Sequence, residues 1–149
     1  MIIAACNDDP MVVNIAQQAA NANAGVFGAW YKIFDSQIPD LGASEDLYIV
    51  AHGAAIGDEN QPVIGNKLDA FYLTARDLNA NLHIFPENYA GGVYIYACKS
   101  AQKGKDEVSF IEQFKKIAGS SYPNMSIFGQ VGSPSGPLPA SNHSSWKKA

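Results

Sequence analysis

Leu47-Tyr48-Ile49-Val50-Ala51-His52-Gly53 is one of two apolar runs that decide the fold of this chain, and Val93-Tyr94-Ile95-Tyr96-Ala97-Cys98 is the other. Continuously apolar runs of this length are typical of parallel strands that are covered on both faces. Each run ends in a reactive side chain. Because ligands bind at the carboxyl ends of strands in open α/β sheets, we expect the imidazole and the thiol to share one crevice. That layout is typical of a nucleophilic Cys/His site.

Around these runs, the chain alternates between strand and helix patterns. Asp9 and Pro10 predict a helix start, since Asp caps helices and Pro suits the first helical position. Residues 110–118 repeat apolar side chains at helical spacing and stop at Gly119. The alternation predicts a three-layer α/β/α sandwich with a mostly parallel sheet. Strands are predicted at residues 1–5, 29–35, 47–51, 93–97 and 125–131, helices at 10–21, 74–82 and 110–118, and a long loop at 53–66.

Length and composition set the domain organisation and exclude several classes of protein. The chain has 149 residues, 47% of them hydrophobic and 16% charged, which predicts one globular domain. We expect that domain to span residues 1–132, followed by a proline- and serine-rich extended tail over residues 133–149. The net charge of -4 argues against nucleic acid as the main partner.

The sequence also lacks the signals that direct a chain into a membrane. No apolar run is long enough to span a bilayer, so no membrane partner is expected. The first residues lack the basic start and the longer apolar stretch of a signal peptide. Localisation and oligomeric state stay open, with the cytoplasm and secretion by a non-classical route as the alternatives for localisation.

The two reactive residues have suitable neighbours for catalysis. Cys6 and Cys98 are too few for a disulfide framework, and a single thiol with a distant histidine is a candidate nucleophile. His52 would protonate the leaving amine, because imidazole titrates near neutral pH. Gly53 has no side chain to block access to its N–H, which would bind the oxyanion. A lone cysteine is most often an inert hydrophobe, so the catalytic interpretation depends on two matched strands ending in His-Gly and Ala-Cys.

The two motifs together resemble those of the caspase-like (clan CD) cysteine peptidases. Cys98-Lys99-Ser100-Ala101 is similar to the variant found in legumain-like and CHAT-domain members, and residues 73–78 resemble a helix start of CHAT and toxin autoprocessing domains. The 46 residues from His52 to Cys98 also fit the family. The resemblance, over residues 47–118, implies a caspase-like fold and a cysteine endopeptidase with a His52/Cys98 dyad and Gly53 in the oxyanion hole. Its partner would be a protein or peptide substrate, or the chain itself by autoprocessing, and no cofactor is expected.

Two acidic residues, Asp8 and Asp9, are the candidate substrate-binding residues. They follow the first predicted strand, whose end should lie beside the His52 strand. In the family, the loop at this place helps to build the pocket for the residue before the scissile bond. A carboxylate there would favour Lys or Arg through a charge-assisted hydrogen bond. If both carboxylates only cap the following helix, a small or apolar residue is expected instead.

Other functions are weighed against the peptidase. A caspase-like module that binds or scaffolds without turnover is the main alternative. A serine esterase is the third, because Gly132-Ser133-Pro134-Ser135-Gly136 matches G-x-S-x-G, but Pro137 and Pro139 stand where that motif needs a helix. Zinc needs three or four clustered ligands. The histidines and cysteines show no such spacing, so no metal site is predicted.

Overall fold

The computed structural model of the chain describes residues 1–35, 37–57, 60–66, 71–104 and 107–149. Its centre is a six-stranded sheet with four helices distributed over its two faces. The strands, in spatial order, are β2 (Trp30–Lys32), β1 (Ile2–Ala4), β3 (Leu47–Val50), β7 (Gly92–Tyr96), β8 (Ser126–Gly129) and β9 (Lys147–Lys148). The helices are α1 (Pro10–Ala22), α2 (Ala24–Phe27), α3 (Ala75–Asn81) and α4 (Phe110–Ala118). The first five strands are parallel and β9 is antiparallel, which confirms the predicted α/β/α class.

Burial on both faces explains why the two apolar runs form central strands. Every residue of β3 and β7 is buried. Side chains of a strand alternate between the two faces of a sheet, and here they enter two hydrophobic cores. One core lies under α3 and α4 and includes Leu78 and Phe114, while the other lies under α1 and α2 and includes Ala16 and Phe27.

The chain between β3 and α3 departs from the predicted loop. Residues 53–66, predicted as a long loop, contain two short strands, and a third strand follows them. These strands, β4 (Gly53–Ala54), β5 (Val63–Asn66) and β6 (Phe71–Leu73), form a small antiparallel sheet. Ile64 and the ends of β6 point into the core under α3 and α4, which is why this segment folds against the domain. Residues 53–66 lack the continuous apolar run that predicts β3 and β7, so the sequence does not indicate these strands.

The C-terminal residues 133–149 are mostly irregular, with turns at residues 141–142 and 144–145, and they pack on the sheet. Leu138 is 5% exposed in the second core, and the Tyr96 hydroxyl donates to the Gly136 carbonyl at 3.0 Å. The Trp146 ring packs edge-on against Tyr94, with 5.1 Å between the ring centroids. The flat aromatic surface of β7 and β8 needs this apolar cover. The predicted boundary at residue 132 therefore separates residues that share one core.

Two smaller elements were also absent from the sequence prediction. They are the four-residue helix α2 and the two-residue strand β9, both too short to carry a hydrophobic period. None of the helices in the described ranges is long and apolar enough to cross a membrane.

Candidate active site

The parallel register of β3 and β7 brings His52 and Cys98 to the same side of the sheet, at the carboxyl-terminal ends of the strands. Val50 pairs with Tyr96, and the Ala51 N–H continues the ladder by donating to the Tyr96 carbonyl at 3.1 Å. His52 and Cys98 each lie two residues beyond this pair, so they follow the carboxyl-terminal ends of two adjacent strands. Both side chains are partly exposed at this edge. An attacking thiol and a proton donor can therefore meet one substrate there.

Asp9 binds the imidazole of His52. The carboxylate Oδ2 lies 3.0 Å from Nε2 of His52, and Oδ1 accepts the N–H groups of Met11 and Val12 at 2.8 and 3.1 Å. Burial opposes ionisation of Asp9, but the hydrogen bonds from Val12, His52 and Met11 hold its pKa below the ordinary value. An ionised Asp9 requires Nε2 to carry a hydrogen, which leaves Nδ1 as the nitrogen that exchanges protons with a substrate.

The contact between Asp9 and His52 lies at the switch point of the sheet. From β1 the chain continues to β2 on one side, and then crosses to β3 on the other side. Open α/β sheets bind ligands in the crevice at this point, outside the carboxyl ends of the strands. Asp9 follows β1 and His52 follows β3, so both side chains lie where the topology opens a crevice.

Gly53 lies directly against the backbone of Cys98. A Cβ atom at residue 53 would lie 2.5 Å from the Cys98 carbonyl oxygen, so only glycine fits without a backbone shift. Gly53 pairs with Ile64, while the Gly65 N–H donates to the His52 carbonyl at 3.0 Å. This pattern puts Gly53 in a non-hydrogen-bonded position of the antiparallel ladder, where its own N–H points away from β5. The N–H of Gly53 is therefore not used in pairing with β5.

Cys98 begins a tight turn over residues 98–101. The next residue, Lys99, has a φ of 58°, which is uncommon for a residue with a side chain. Its N–H donates to the carbonyl of Gly132, beyond the end of β8. Backbone conformations of this kind cost free energy and cluster at functional sites. The strained residue stands directly after the candidate nucleophile.

The two predicted substrate-binding carboxylates have different positions. Asp9 reaches the site, but the partner that it meets is the imidazole of His52 in the same chain. Asp8 instead pairs with Lys32, with 2.7 Å between its Oδ1 and the amine. The role of both residues in substrate binding stays a prediction. In the sequence, the contact with His52 is indicated by the position of Asp9. It is a predicted N-cap residue that follows the strand next to the His52 strand.

The structure has one cavity at this end of the sheet and another away from it. One of about 250 Å³ lies at the carboxyl ends of β1 and β2 and is lined by Cys6, Asn7, Lys32, Phe34 and Asp35. Another of about 910 Å³ lies against β5, β6, α3 and α4, and neither His52 nor Cys98 lines it. The smaller cavity lies at the carboxyl-terminal ends of β1 and β2, on the side of the sheet away from Cys98.

The other thiol, Cys6, lies against the backbone of Asp9 and is buried. Burial raises the pKa of the Cys6 thiol, which keeps it protonated and unreactive. His143 lies 2.8 Å from the hydroxyl of Ser145. In the ranges that the structure describes, no three His, Cys, Asp or Glu side chains cluster closely enough to hold a metal ion.

Comparison of the chain with known protein families, with curated proteins and with solved structures gives no match. The chemistry of the site therefore has to be inferred from its own residues. These residues are a thiol, an imidazole held by a carboxylate, and a glycine N–H at one sheet edge.

Proposed function

We propose that the protein is a cysteine endopeptidase with Cys98 as the nucleophile and His52 as the general acid and base. The observation that carries this proposal is that two in-register parallel strands end two residues before His52 and Cys98, on the same side of the sheet. The contact between Asp9 and His52 supports it further, because it orients the imidazole and fixes its tautomer. A binding module without turnover has no need for this arrangement.

The residues support a two-step reaction. The Cys98 thiolate attacks the peptide carbonyl carbon, and the N–H of Gly53 donates to the oxyanion that forms. When the C–N bond breaks, His52 gives its proton to the leaving amine, which departs as a neutral amine. His52 then takes a proton from water, whose oxygen attacks the thioester. Collapse of the second oxyanion breaks the C–S bond, which releases the carboxylic acid product and returns the thiolate beside the protonated imidazole. The product then loses its acid proton to the solvent.

The preference for a basic residue before the scissile bond is a separate part of the proposal. Asp9 is 7% exposed and engaged by His52 and by the helix start, so it has little capacity for a substrate cation. The side chain of Asp8 is 90% exposed and pairs with Lys32 at the surface. Surface ion pairs contribute little free energy, so an incoming Lys or Arg side chain can displace Lys32. We therefore assign this preference to Asp8.

Cleavage of a fluorogenic peptide library by purified variants tests the nucleophile. Cys98→Ala is expected to abolish turnover, and His52→Ala to lower kcat/KM by about 10² to 10⁴-fold. Ser135→Ala, at the serine of the G-x-S-x-G stretch, serves as the control, with turnover unchanged. The same library reports whether Asp8→Asn weakens cleavage after Lys and Arg.

Two outcomes would contradict the proposal. Full turnover by Cys98→Ala would exclude Cys98 as the nucleophile. Absence of turnover on every peptide, in a folded wild-type protein whose Cys98 reacts with iodoacetamide, would favour the alternative of a non-catalytic binding module.

A further inference from the structure

We propose that Ser100 is the positioning residue that fixes the direction of the Cys98 sulfur. The inference rests on the proposed function of Cys98 as a nucleophile. Ser100 lies two residues after Cys98 in the same turn, and its side chain is 2% exposed. It cannot reach the substrate itself, so it acts through the backbone that carries the thiol.

The hydroxyl of Ser100 links two neighbouring strands beside this turn. It donates to the carbonyl of Ile95 in β7 at 3.0 Å and accepts the N–H of Gln130 at 2.9 Å. Gln130 follows directly after β8. A serine hydroxyl has one donor and can accept as well, so both of these capacities are used. The turn is thereby fixed to the ends of two strands at once.

The backbone of the same turn makes further contacts in other directions. The Ser100 N–H donates to the Ala97 carbonyl at 3.2 Å, and the Ser100 carbonyl accepts the N–H of Ile111 in α4 at 3.1 Å. The next residue, Ala101, donates to the Gln130 carbonyl at 2.9 Å. Ser100 is therefore held from β7, from the residue after β8 and from α4, which leaves the turn little freedom to rotate.

Two glycines allow neighbouring strands to pack closely against the turn that contains Cys98 and Ser100. A Cβ atom at Gly129 would lie 2.8 Å from the Ser100 hydroxyl, and one at Gly53 would lie 2.5 Å from the Cys98 carbonyl oxygen. The turn therefore fits between β4 on one side and β8 on the other, with no space for additional atoms. Such a close fit is needed only where the position of a backbone must be controlled.

The strained residue between Cys98 and Ser100 explains why a restraint is needed. Lys99 has a φ of 58°, and residues with a side chain leave this region unless their surroundings hold them there. When the Ser100 hydroxyl is removed, the turn loses one of its links and can relax toward an ordinary conformation. This relaxation would rotate Cys98. A displacement of about 1 Å at a reacting atom can cost about 10²-fold in rate.

Comparison of Ser100→Ala with Thr74→Ala tests this role. Thr74 is a matched control because its hydroxyl also donates and accepts, in the capping box of α3, away from the Cys98 turn. For each variant, the rate of Cys98 alkylation by iodoacetamide is followed against pH by peptide mass, and kcat and KM are measured on a cleaved peptide. We expect Ser100→Ala to shift the pH profile of alkylation and to lower kcat about 10- to 100-fold with KM unchanged. Thr74→Ala should lower only the thermal stability.

An alkylation profile of Ser100→Ala that matches both wild type and Thr74→Ala would overturn the positioning role. If no protein cleaves peptide while Ser100→Ala still changes the alkylation profile, the peptidase proposal fails and the role of Ser100 stands. Should Ser100→Ala not fold, Ser100→Cys retains a weak donor and acceptor at nearly the same volume. The same comparison then applies to Ser100→Cys, with Cys98 and residue 100 distinguished by peptide mass.

Discussion

At the scale of single residues, Asp9 performs two tasks with one carboxylate. One oxygen caps the first turn of α1, and the other binds His52. The positive end of the helix favours the ionised form, and the ionised form in turn orients the imidazole. Helix start and candidate site are thus coupled through a single charge, so any change in the ionisation of Asp9 affects both.

Asp9 should make the protein sensitive to acid. Its pKa lies below the ordinary value of 3.8, so its charge stabilises the folded state above about pH 4, and this contribution is lost as the pH falls through the lowered pKa. Asp9→Asn retains the cap, since Asn and Asp cap equally well, but it removes the charge. We expect the variant to lose about 1 kcal/mol at pH 7 and at least tenfold in kcat/KM.

Urea unfolding followed by tryptophan fluorescence from pH 3 to pH 8 measures this contribution. The difference between wild type and Asp9→Asn should shrink toward zero below pH 4. Asp8→Asn, at an exposed neighbouring carboxylate, is the control and should show no such difference. A gap between wild type and Asp9→Asn that stays constant with pH would show that the charge of Asp9 is not involved.

At the scale of elements, the sequence predicts the parallel strands of the central sheet well and the strands of the small antiparallel sheet poorly. The apolar residues of β3 and β7 are buried on both faces, and a continuous run shows this without knowledge of the fold. Strands such as β4 and β9 have two residues each. They exist because tertiary neighbours supply their pairing, which no local pattern records. For the same reason the sequence placed Asp9 near the site but did not identify His52 as its partner.

A substitution at Gly53, the first residue of β4, tests how closely this strand packs against Cys98. Gly53→Ala would press a methyl group onto the Cys98 carbonyl, and overpacking of this kind costs about 1 to 3 kcal/mol. For a chain of this length, we expect Tm to fall by about 2 to 4 °C for each kcal/mol. Alkylation of Cys98 should change together with Tm, because the methyl group displaces the Cys98 backbone.

Gly25→Ala in α2 is the matched control for this substitution. The nearest atom to a Cβ at residue 25 is 3.7 Å away, so the methyl group fits, and alanine stabilises a helix relative to glycine. Its Tm should stay the same or rise. Equal Tm values for the two variants would mean that Cys98 and Gly53 are not in contact in solution.

At the scale of the whole molecule, the C-terminal segment completes the second core. The rings of Tyr48, Tyr94 and Phe128 stack in succession across β3, β7 and β8, with centroid distances of 5.0 and 4.7 Å. Trp146 covers the edge of this row. A proline-rich composition predicted an extended tail, whereas the segment contains turns at residues 141–142 and 144–145. The composition could not show the aromatic surface to which the segment binds, because that surface forms only when three strands pair.

A chain shortened to residues 1–132 should therefore lose stability. Removal of residues 133–149 exposes Tyr94 and Tyr96. Loss of one large aromatic side chain from a core lowers the free energy of unfolding by about 3 to 5 kcal/mol. We expect a lower urea midpoint and increased binding of the dye ANS. Trp146→Ala in the full chain should show part of the same loss. An unchanged midpoint in the shortened chain would mean that residues 133–149 contribute nothing to the core.

The dependence of the Cys98 turn on β8 has a consequence during protein synthesis. Cys98 is synthesised about 30 residues before Gly129, Gln130 and Gly132. In the folded protein these residues contact the turn that begins at Cys98. Parallel pairing also waits for both strands to leave the ribosome, and such non-local pairing forms slowly. A nascent chain thus carries the cysteine without the geometry that would make it a nucleophile. Because β8 follows Cys98 in the sequence, the proposed activity can begin only after most of the strands of the sheet have been synthesised.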